Sequence, residues 1–443
     1  MKVLFISLGC DKNLVDSEHM SGILSKAGYE FTDDETLADV IIINSCCFIG
    51  DAKEESINTV FEMARYKEEG NCKVLVLAGC LAQRYHEEIK DEIPEIDICI
   101  GTTAIDSIAS ALNEYFVNKK NIQIMSDIDK LAGVDAPRNL SNIASYAYLK
   151  IAEGCDKHCT YCIIPKVRGD YRSVPMEALI REAKDLASKG VKELILVAQE
   201  TTMYGKDIYG KKSLHLLLKK LAKIEGIYWI RILYCYPEEI YDELIETIAT
   251  EDKICKYLDI PIQHASDSIL KKMGRQTTNS QLREVIAKLR KKIPNIILRT
   301  TLISGFPGET EDDHRETLKF VNEMEFDRLG VFTYSAEENT PAATMPNQID
   351  EEVKVARRNE IMELQQDIVF DIAEKYVGKI FVAMIEGKIS GEHAYLARTY
   401  MDCPGVDSNV FVISDLELMT GDFVKVKITG TNDYDLIGEI YSW

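Results

Sequence analysis

Residues 147–162 read AYLKIAEGCDKHCTYC, a short apolar run followed at once by three cysteines in the pattern CxxxCxxC. The run AYLKIA is predicted as a buried strand, so Cys155, Cys159 and Cys162 fall on the loop leaving its C-terminal end. Five more runs of the same texture follow: ELILVA (193–198), YWIRILY (228–234), KYLDIPI (256–262), IILRTTLI (296–303) and RLGVFTY (328–334). A helical pattern comes after each, the last running from residue 350 to about 376. Regular βα alternation predicts parallel strands, and six units predict an open, partial TIM-type barrel rather than the eightfold form. The three thiols then sit at its C-terminal mouth, where such folds build active sites. Three close thiolates suit an iron–sulfur cubane with one iron left open. Structural zinc normally takes four protein ligands and would have to recruit His158 from inside the same loop.

Towards the N-terminus the runs KVLFISL (2–8), DVIIIN (39–44) and KVLVLA (73–78) read as buried parallel strands, separated by helical patterns over 14–27, 52–67 and 83–93. This predicts an N-terminal parallel βα domain, residues 1–117. Cys10, Cys46 and Cys80 each follow one of these strands, and the C-terminal ends of parallel strands converge on one crevice. Spacing alone leaves two readings open, a second metal site or a set of buried core cysteines. A polar stretch with Gly133 and Pro137 reads as a linker over 118–142, ahead of the barrel domain at 143–372. From 373 to 443 the texture changes to short β-type runs, KIFVAMIEG, AYLARTY, NVFVIS and DFVKVKITG, which predict a small antiparallel β-barrel.

Composition frames these units. The chain has 443 residues, 46% hydrophobic and 28% charged, which is ordinary for a folded, water-soluble protein of two or three domains. No run of about 18 apolar residues occurs and the N-terminus lacks a signal-peptide core, so a cytoplasmic protein with no membrane partner is expected. In that compartment twelve cysteines are ligands, catalysts or core residues rather than disulfides. A net charge of −21 repels polyanions at long range and favours a basic protein partner over bare nucleic acid.

The loop EGCDKHCTYC after the first barrel strand resembles the cluster loop of the radical S-adenosylmethionine superfamily. The resemblance implies a [4Fe-4S] cluster on Cys155, Cys159 and Cys162, with S-adenosyl-L-methionine chelated at the open iron and cleaved to a 5′-deoxyadenosyl radical. VAQETT and LISGFPGETEDD fit the cofactor pocket of the same barrel. Gln199, Glu200 and Gly305 are the expected contacts to its methionyl or ribose parts, with a purely structural role open for each. Glu309, Glu311 and Asp312 are expected simply to begin a helix. His264, Tyr204, Lys166, Arg168 and Arg172 line a substrate path, position a neighbour or serve the fold and its loops.

SLGCDKNLVDSE, NSCCFIGDAKEES and GCLAQRY closely resemble the N-terminal domain of methylthiotransferases, and the resemblance then covers the whole chain, ending in the small β-barrel called TRAM. It implies a second [4Fe-4S] cluster on Cys10, Cys46 and Cys80, choosing Cys46 over its neighbour Cys47. The family divides into enzymes acting on an adenosine of tRNA and one acting on an aspartate of small-subunit ribosomal protein twelve. VAQETTMYG, IQHASDSILKKMGR and NDYDLIGEI are similar to the latter. Charge argues the same way, because residues 374–443 carry six Lys or Arg against eleven Asp or Glu, and a TRAM domain gripping tRNA should present a basic face. The expected reaction adds a methylthio group to the β-carbon of that aspartate, with a reductant such as flavodoxin or ferredoxin and a sulfur donor the residues do not identify. An iron–sulfur protein that binds RNA or carries electrons is the alternative of a different class.

Overall fold

The computed structural model describes residues 1–141 and 145–441. The expected start of the barrel domain at 143 and the last two residues of the C-terminal domain lie outside the described residues. Three sheets account for the architecture. In the N-terminal sheet all neighbours are parallel, in the order Glu30–Phe31, Lys2–Ser7, Val40–Ser45, Val74–Gly79, Ile98–Ile100, Ile122–Ile124. The three predicted strands form its middle, and Val40–Ser45 and Val74–Gly79 are buried at every position, as strands covered on both faces by helices should be. The three additional strands have only two or three residues each, too short to show as apolar runs.

Ile122–Ile124 lies inside the stretch expected to be a linker, and the described part around Arg138 packs as a strap between domains. Its Arg138 is buried, donating to Glu18 on the helix Asp11–Lys26 (2.8 Å) and to Glu182 on the barrel helix Met176–Ser188 (2.7 Å). A Cβ on Gly22 would fall 2.1 Å from the Pro137 carbonyl oxygen, so that helix touches the strap backbone to backbone. The polar composition that suggested a tether instead satisfies a buried seam between two domains.

The central sheet has the six predicted strands in sequential order, all parallel: Tyr146–Lys150, Glu193–Val197, Trp229–Ile232, Ile254–Asp259, Ile297–Ser304 and Arg328–Thr333. Its first and last strands do not pair, so the barrel is open. Along Glu193–Val197 the side chains alternate: Leu194 and Leu196 join the helix-facing core, while Ile195 and Val197 belong to a cluster shared with the C-terminal domain. That domain is a closed five-stranded barrel, Ile380–Lys388, Ala394–Thr399, Val410–Ile413, Asp435–Ile440, Phe423–Asn432. The run NDYDLIGEI supplies its fifth strand, which pairs parallel with Val410–Ile413, whereas the other pairs are antiparallel. The small barrel therefore covers the concave face of the open sheet, leaving the strand C-termini for the N-terminal domain. Among the described residues no helix is long and apolar enough to cross a membrane.

Candidate active site

The barrel triad is built by backbone. Gly154 takes φ +80°, and a Cβ there would meet the Asp170 carbonyl oxygen at 2.0 Å, so only glycine lets the chain turn from strand into loop. The loop is then pinned by Cys155 N–H to Gly169 (3.1 Å), Thr160 N–H to Met273 (2.9 Å) and Cys162 N–H to Cys159 (3.0 Å). Cys155 and Cys159 are buried, and burial pushes the Cys155 thiol up to about 11, with Cys159 and Glu200 adding repulsion. Cys162 is pushed up further for the same reason, beside Cys159 and Cys155. Thiols this reluctant to ionise alone gain from a cationic centre that takes them as thiolates. His158 is exposed whereas Cys155 and Cys159 are buried, which speaks against it as the fourth ligand that a structural zinc would need. Among the described residues no three His, Cys, Asp or Glu side chains close round a point as ligands of one ion do. Thiolates of a cubane each take a different iron and stand further apart, so the donor set of three soft thiols fits a cluster.

The second triad has the same construction at the ends of the N-terminal strands. Cys10 precedes the helix Asp11–Lys26, Cys80 opens the helix Cys80–Glu92, and Cys46 follows Val40–Ser45. A Cβ on Gly9 would lie 2.6 Å from Cys46 Cβ and 2.9 Å from its Sγ, so the first loop crosses directly over Cys46. Asn13 laces the loops by donating to Leu8 (3.0 Å) and Ser45 (2.9 Å). Cys46 and Cys80 are both held protonated chiefly by burial, and each feels the charge of Cys10. Cys47 is fully buried among apolar side chains, as a structural cysteine would be.

Arg168 links Cys80 of the N-terminal domain to Glu153, just past the first barrel strand. Sequence reading left it between a substrate path and a solvated loop; it is instead fully buried. Its Nε donates to Cys80 Sγ at 3.4 Å, and Nη1 to Asp16 (2.8 Å) and Glu153 (3.1 Å), while Nη2 donates to Asn13. Lys150 completes the cluster on Asp16 and Glu153 (2.8 Å to the latter). Glu153, two residues before Cys155, is pushed up by burial, but Arg168 and Lys150 outweigh this and hold it well below the usual carboxylate range.

The expected cofactor contacts separate. Gln199 donates to Glu153 (2.7 Å) and leaves its buried Oε1 without a partner among the described residues. Glu200 is buried, accepts from Thr202 N–H (2.7 Å) on Oε1, and leaves Oε2 unpartnered. Gly305 has a reason of its own: φ is +71° and a Cβ would lie 2.2 Å from Lys354 Cγ. Glu309 does not simply begin a helix, since Thr310 is the N-cap of Glu311–Met324; its buried carboxylate accepts from Gly305 N–H (2.6 Å) and Phe306 N–H (3.1 Å). Glu311 and Asp312 do occupy the first turn. His264 is buried, accepting from Ser266 N–H at 3.0 Å, and burial pushes it down to about 3, so it is neutral. Sequence reading missed Arg275, whose buried Nε and Nη1 have no partner among the described residues; its Cζ lies 4.1 Å from the centre of the Tyr236 ring, and the Tyr236 hydroxyl is 3.6 Å from Cys159 Sγ. Arg275 closes the segment IQHASDSILKKMGR, but only its burial singles it out there.

Burial raises Glu200 from 4.5 to about 7. A carboxyl raised on folding keeps a proton that the unfolded chain sheds between these values, so stability falls as pH rises through that window, by about 3 kcal/mol in all. Thermal melts of the cofactor-free protein at pH 5 and 8 should show this loss, and E200Q should remove about that much of the difference. Equal pH dependence in both proteins would refute the assignment.

An open six-stranded βα barrel with three thiols on the loop after its first strand defines the radical S-adenosylmethionine enzymes. Residues 149–321 match the Radical SAM superfamily, 2–101 the Uncharacterized protein family UPF0004, and 377–440 the TRAM domain. Among solved structures, the radical S-adenosylmethionine methyltransferase TsrM from Kitasatospora setae aligns with TM-score 0.54 at 13% identity, covering 77% of this chain and 73% of that one. Apo OxsB, a cobalamin-dependent S-adenosylmethionine radical enzyme, gives TM-score 0.53 at 14% identity over 84% of this chain and 56% of its own, again a likeness of fold. Curated relatives are much nearer. The ribosomal protein uS12 methylthiotransferase RimO of Lachnoclostridium phytofermentans is 59% identical over 99% of both chains. Those of Acetivibrio thermocellus and Clostridioides difficile are 52% and 51% identical over 99% of this chain and 98% and 99% of theirs. The chain belongs to the RimO family of ribosomal protein uS12 methylthiotransferases.

Proposed function

We propose that this chain adds a methylthio group to the β-carbon of an aspartate of ribosomal protein uS12. The observation that carries the reading is a group of three cysteines on each domain, with Arg168 bonded to Cys80 Sγ of one group and to Glu153, two residues before Cys155 of the other. In this reading Cys155, Cys159 and Cys162 hold one [4Fe-4S] cluster and Cys10, Cys46 and Cys80 the other. The bound clusters and S-adenosyl-L-methionine supply a carbon-centred radical and a methylated sulfur, chemistry that no acid or base in the site replaces, because an unactivated C–H bond has no useful acidity. The protein's own residues bind, orient and exclude water. Oε2 of Glu200 and Oε1 of Gln199, both buried acceptors without donors, suit the ammonium of the methionyl group. The unpaired N–H groups of Arg275 suit its carboxylate. Gly305, on the loop after the fifth barrel strand, is assigned to the same cofactor in this reading. An ammonium at Glu200 would favour its charged form, so cofactor affinity should fall below about pH 7.

The net charge of −21, and the excess of acidic residues in the TRAM domain, complement a basic ribosomal protein and speed encounter with it. Electrons come in this reading from a protein of flavodoxin or ferredoxin type. The test is mass spectrometry of uS12 after anaerobic incubation with the reconstituted protein, S-adenosyl-L-methionine and a reductant. A gain of one methylthio group on an aspartate-containing peptide is expected, with tRNA unmodified. Methylthioadenosine in tRNA beside unmodified uS12 would overturn the choice of substrate.

A further inference from the structure

Between Cys10 and the barrel mouth lies a buried cation the reading above does not use. Lys12, in the first turn of the helix Asp11–Lys26, is 7% exposed. Its ammonium is 3.0 Å from Asp11 Oδ1 and 3.5 Å from the centre of the Tyr234 ring. Tyr234 stands just past the strand Trp229–Ile232 in the left-handed region, φ +58°. That conformation is unfavourable for a residue of this size and is held from both sides: Tyr234 N–H donates to Asp259 (3.1 Å), and its carbonyl accepts from Thr201 N–H (3.0 Å), next to Glu200. The strained turn carries the ring across the domain seam, where its hydroxyl donates to Asp11 Oδ1 at 3.0 Å. Asp11 Oδ2 is buried with no hydrogen-bond partner among the described residues.

The other cations at the seam are paired with carboxylates or, in the case of Arg275, already assigned in the reading above. Arg168 and Lys150 together neutralise Asp16 and Glu153. Lys157 is held by Glu238 and Glu239. Arg275 faces Tyr236 on the Cys159 side. Lys12 shares one carboxylate oxygen with a phenol and otherwise meets only the face of a ring.

We propose that Lys12 determines specificity for an acidic side chain: its ammonium receives the γ-carboxylate of the substrate aspartate, while Asp11 Oδ2 receives an N–H of the same segment. The inference rests on the proposed reaction at an aspartate β-carbon. That carbon is one bond from the carboxylate, so fixing the carboxylate beside Cys10 fixes the reacting C–H between the two triads. A carboxylate drawn into a seam this dry must be paired, and a neutral side chain in place of Lys12 leaves it stranded.

The test uses full-length K12M, K12Q and K12R, reconstituted with iron and sulfide, and uS12 with either its own aspartate or Asn at the modified position. Substrate affinity and kcat/KM are measured beside iron content and thermal melting. K12M and K12Q should lower kcat/KM for the Asp substrate about 100-fold, as loss of a buried charge partner does, and K12R should recover most of it. The Asn substrate should bind wild type weakly by a similar factor and lose nothing further with K12M. Equal losses on Asp and Asn substrates, or losses that follow iron content across the three variants, would overturn the proposal. Wild-type enzyme that binds the Asp substrate in preference to Asn without methylthiolating it would sink the reaction and leave the recognition standing.

Discussion

Replacing Cys155, Cys159 and Cys162 together by alanine is expected to abolish 5′-deoxyadenosine formation, a fall of more than about 1,000-fold, and to halve the iron and sulfide bound. Replacing Cys10, Cys46 and Cys80 should halve the iron as well, yet deoxyadenosine should persist while methylthio transfer to uS12 stops. The asymmetry follows from where the triads sit. The first lies at the mouth of the barrel beside the buried carboxyl of Glu200, which the proposed reading assigns to the cofactor, and the second lies across the seam at the ends of the N-terminal strands. A loss of 1,000-fold is about 4 kcal/mol of barrier, more than misplacement of one side chain usually produces, so it separates removal of the radical source from local disorder. Iron and sulfide analysis with product assay on the two triple variants decides the matter. Loss of deoxyadenosine in both sets would merge the sites into one functional centre.

The second large effect concerns how the TRAM barrel is held in the open sheet. Glu193, on the second barrel strand, is fully buried and accepts from Arg231 Nε (2.7 Å) and Arg398 Nη2 (2.8 Å), one arginine from each domain. Burial pushes its carboxyl up, but the two guanidiniums overcome that and hold it below the usual range. E193A would leave two buried arginines facing one another, at a loss of about 3–5 kcal/mol. Because the chain has several domains, this loss need not appear as one shifted melting curve, and hydrogen exchange in the strands Ile380–Lys388 and Ala394–Thr399 is the sharper readout. Exchange there should quicken in E193A before it does in the N-terminal sheet. With a depressed carboxyl, the stabilisation is present above the ordinary carboxylate value and fades as pH falls through the folded one. Unchanged exchange in the variant would show that apolar contacts alone seat the domain.

Elements that announce themselves locally were legible. All six barrel strands fall on the runs read as strands; Glu193–Val197 and Trp229–Ile232 are buried at every position, and such strands are largely apolar at successive positions. The two- and three-residue strands of the N-terminal sheet were not, since so short a piece carries no period. The polar strap misled for a related reason: Arg138 and its neighbours look solvated in sequence and are polar because they satisfy Glu18 and Glu182 across a seam. Glu309 was read as helix opening because a carboxylate before a helix fits that pattern, yet it serves the turn at Gly305.

By itself the sequence placed three cysteines on one loop and one after each of three successive strands, because spacing along the chain is a local fact that survives without coordinates. Only the tertiary structure decided what lies between the triads. Arg168 meets Asn13 across 155 residues, Glu193 meets Arg398 across 205, and Tyr234 meets Asp11 across 223. A charge that is to be buried and a charge that stays in water are written with the same residue. The difference is made by partners that folding brings from another domain, and no window of the chain contains both.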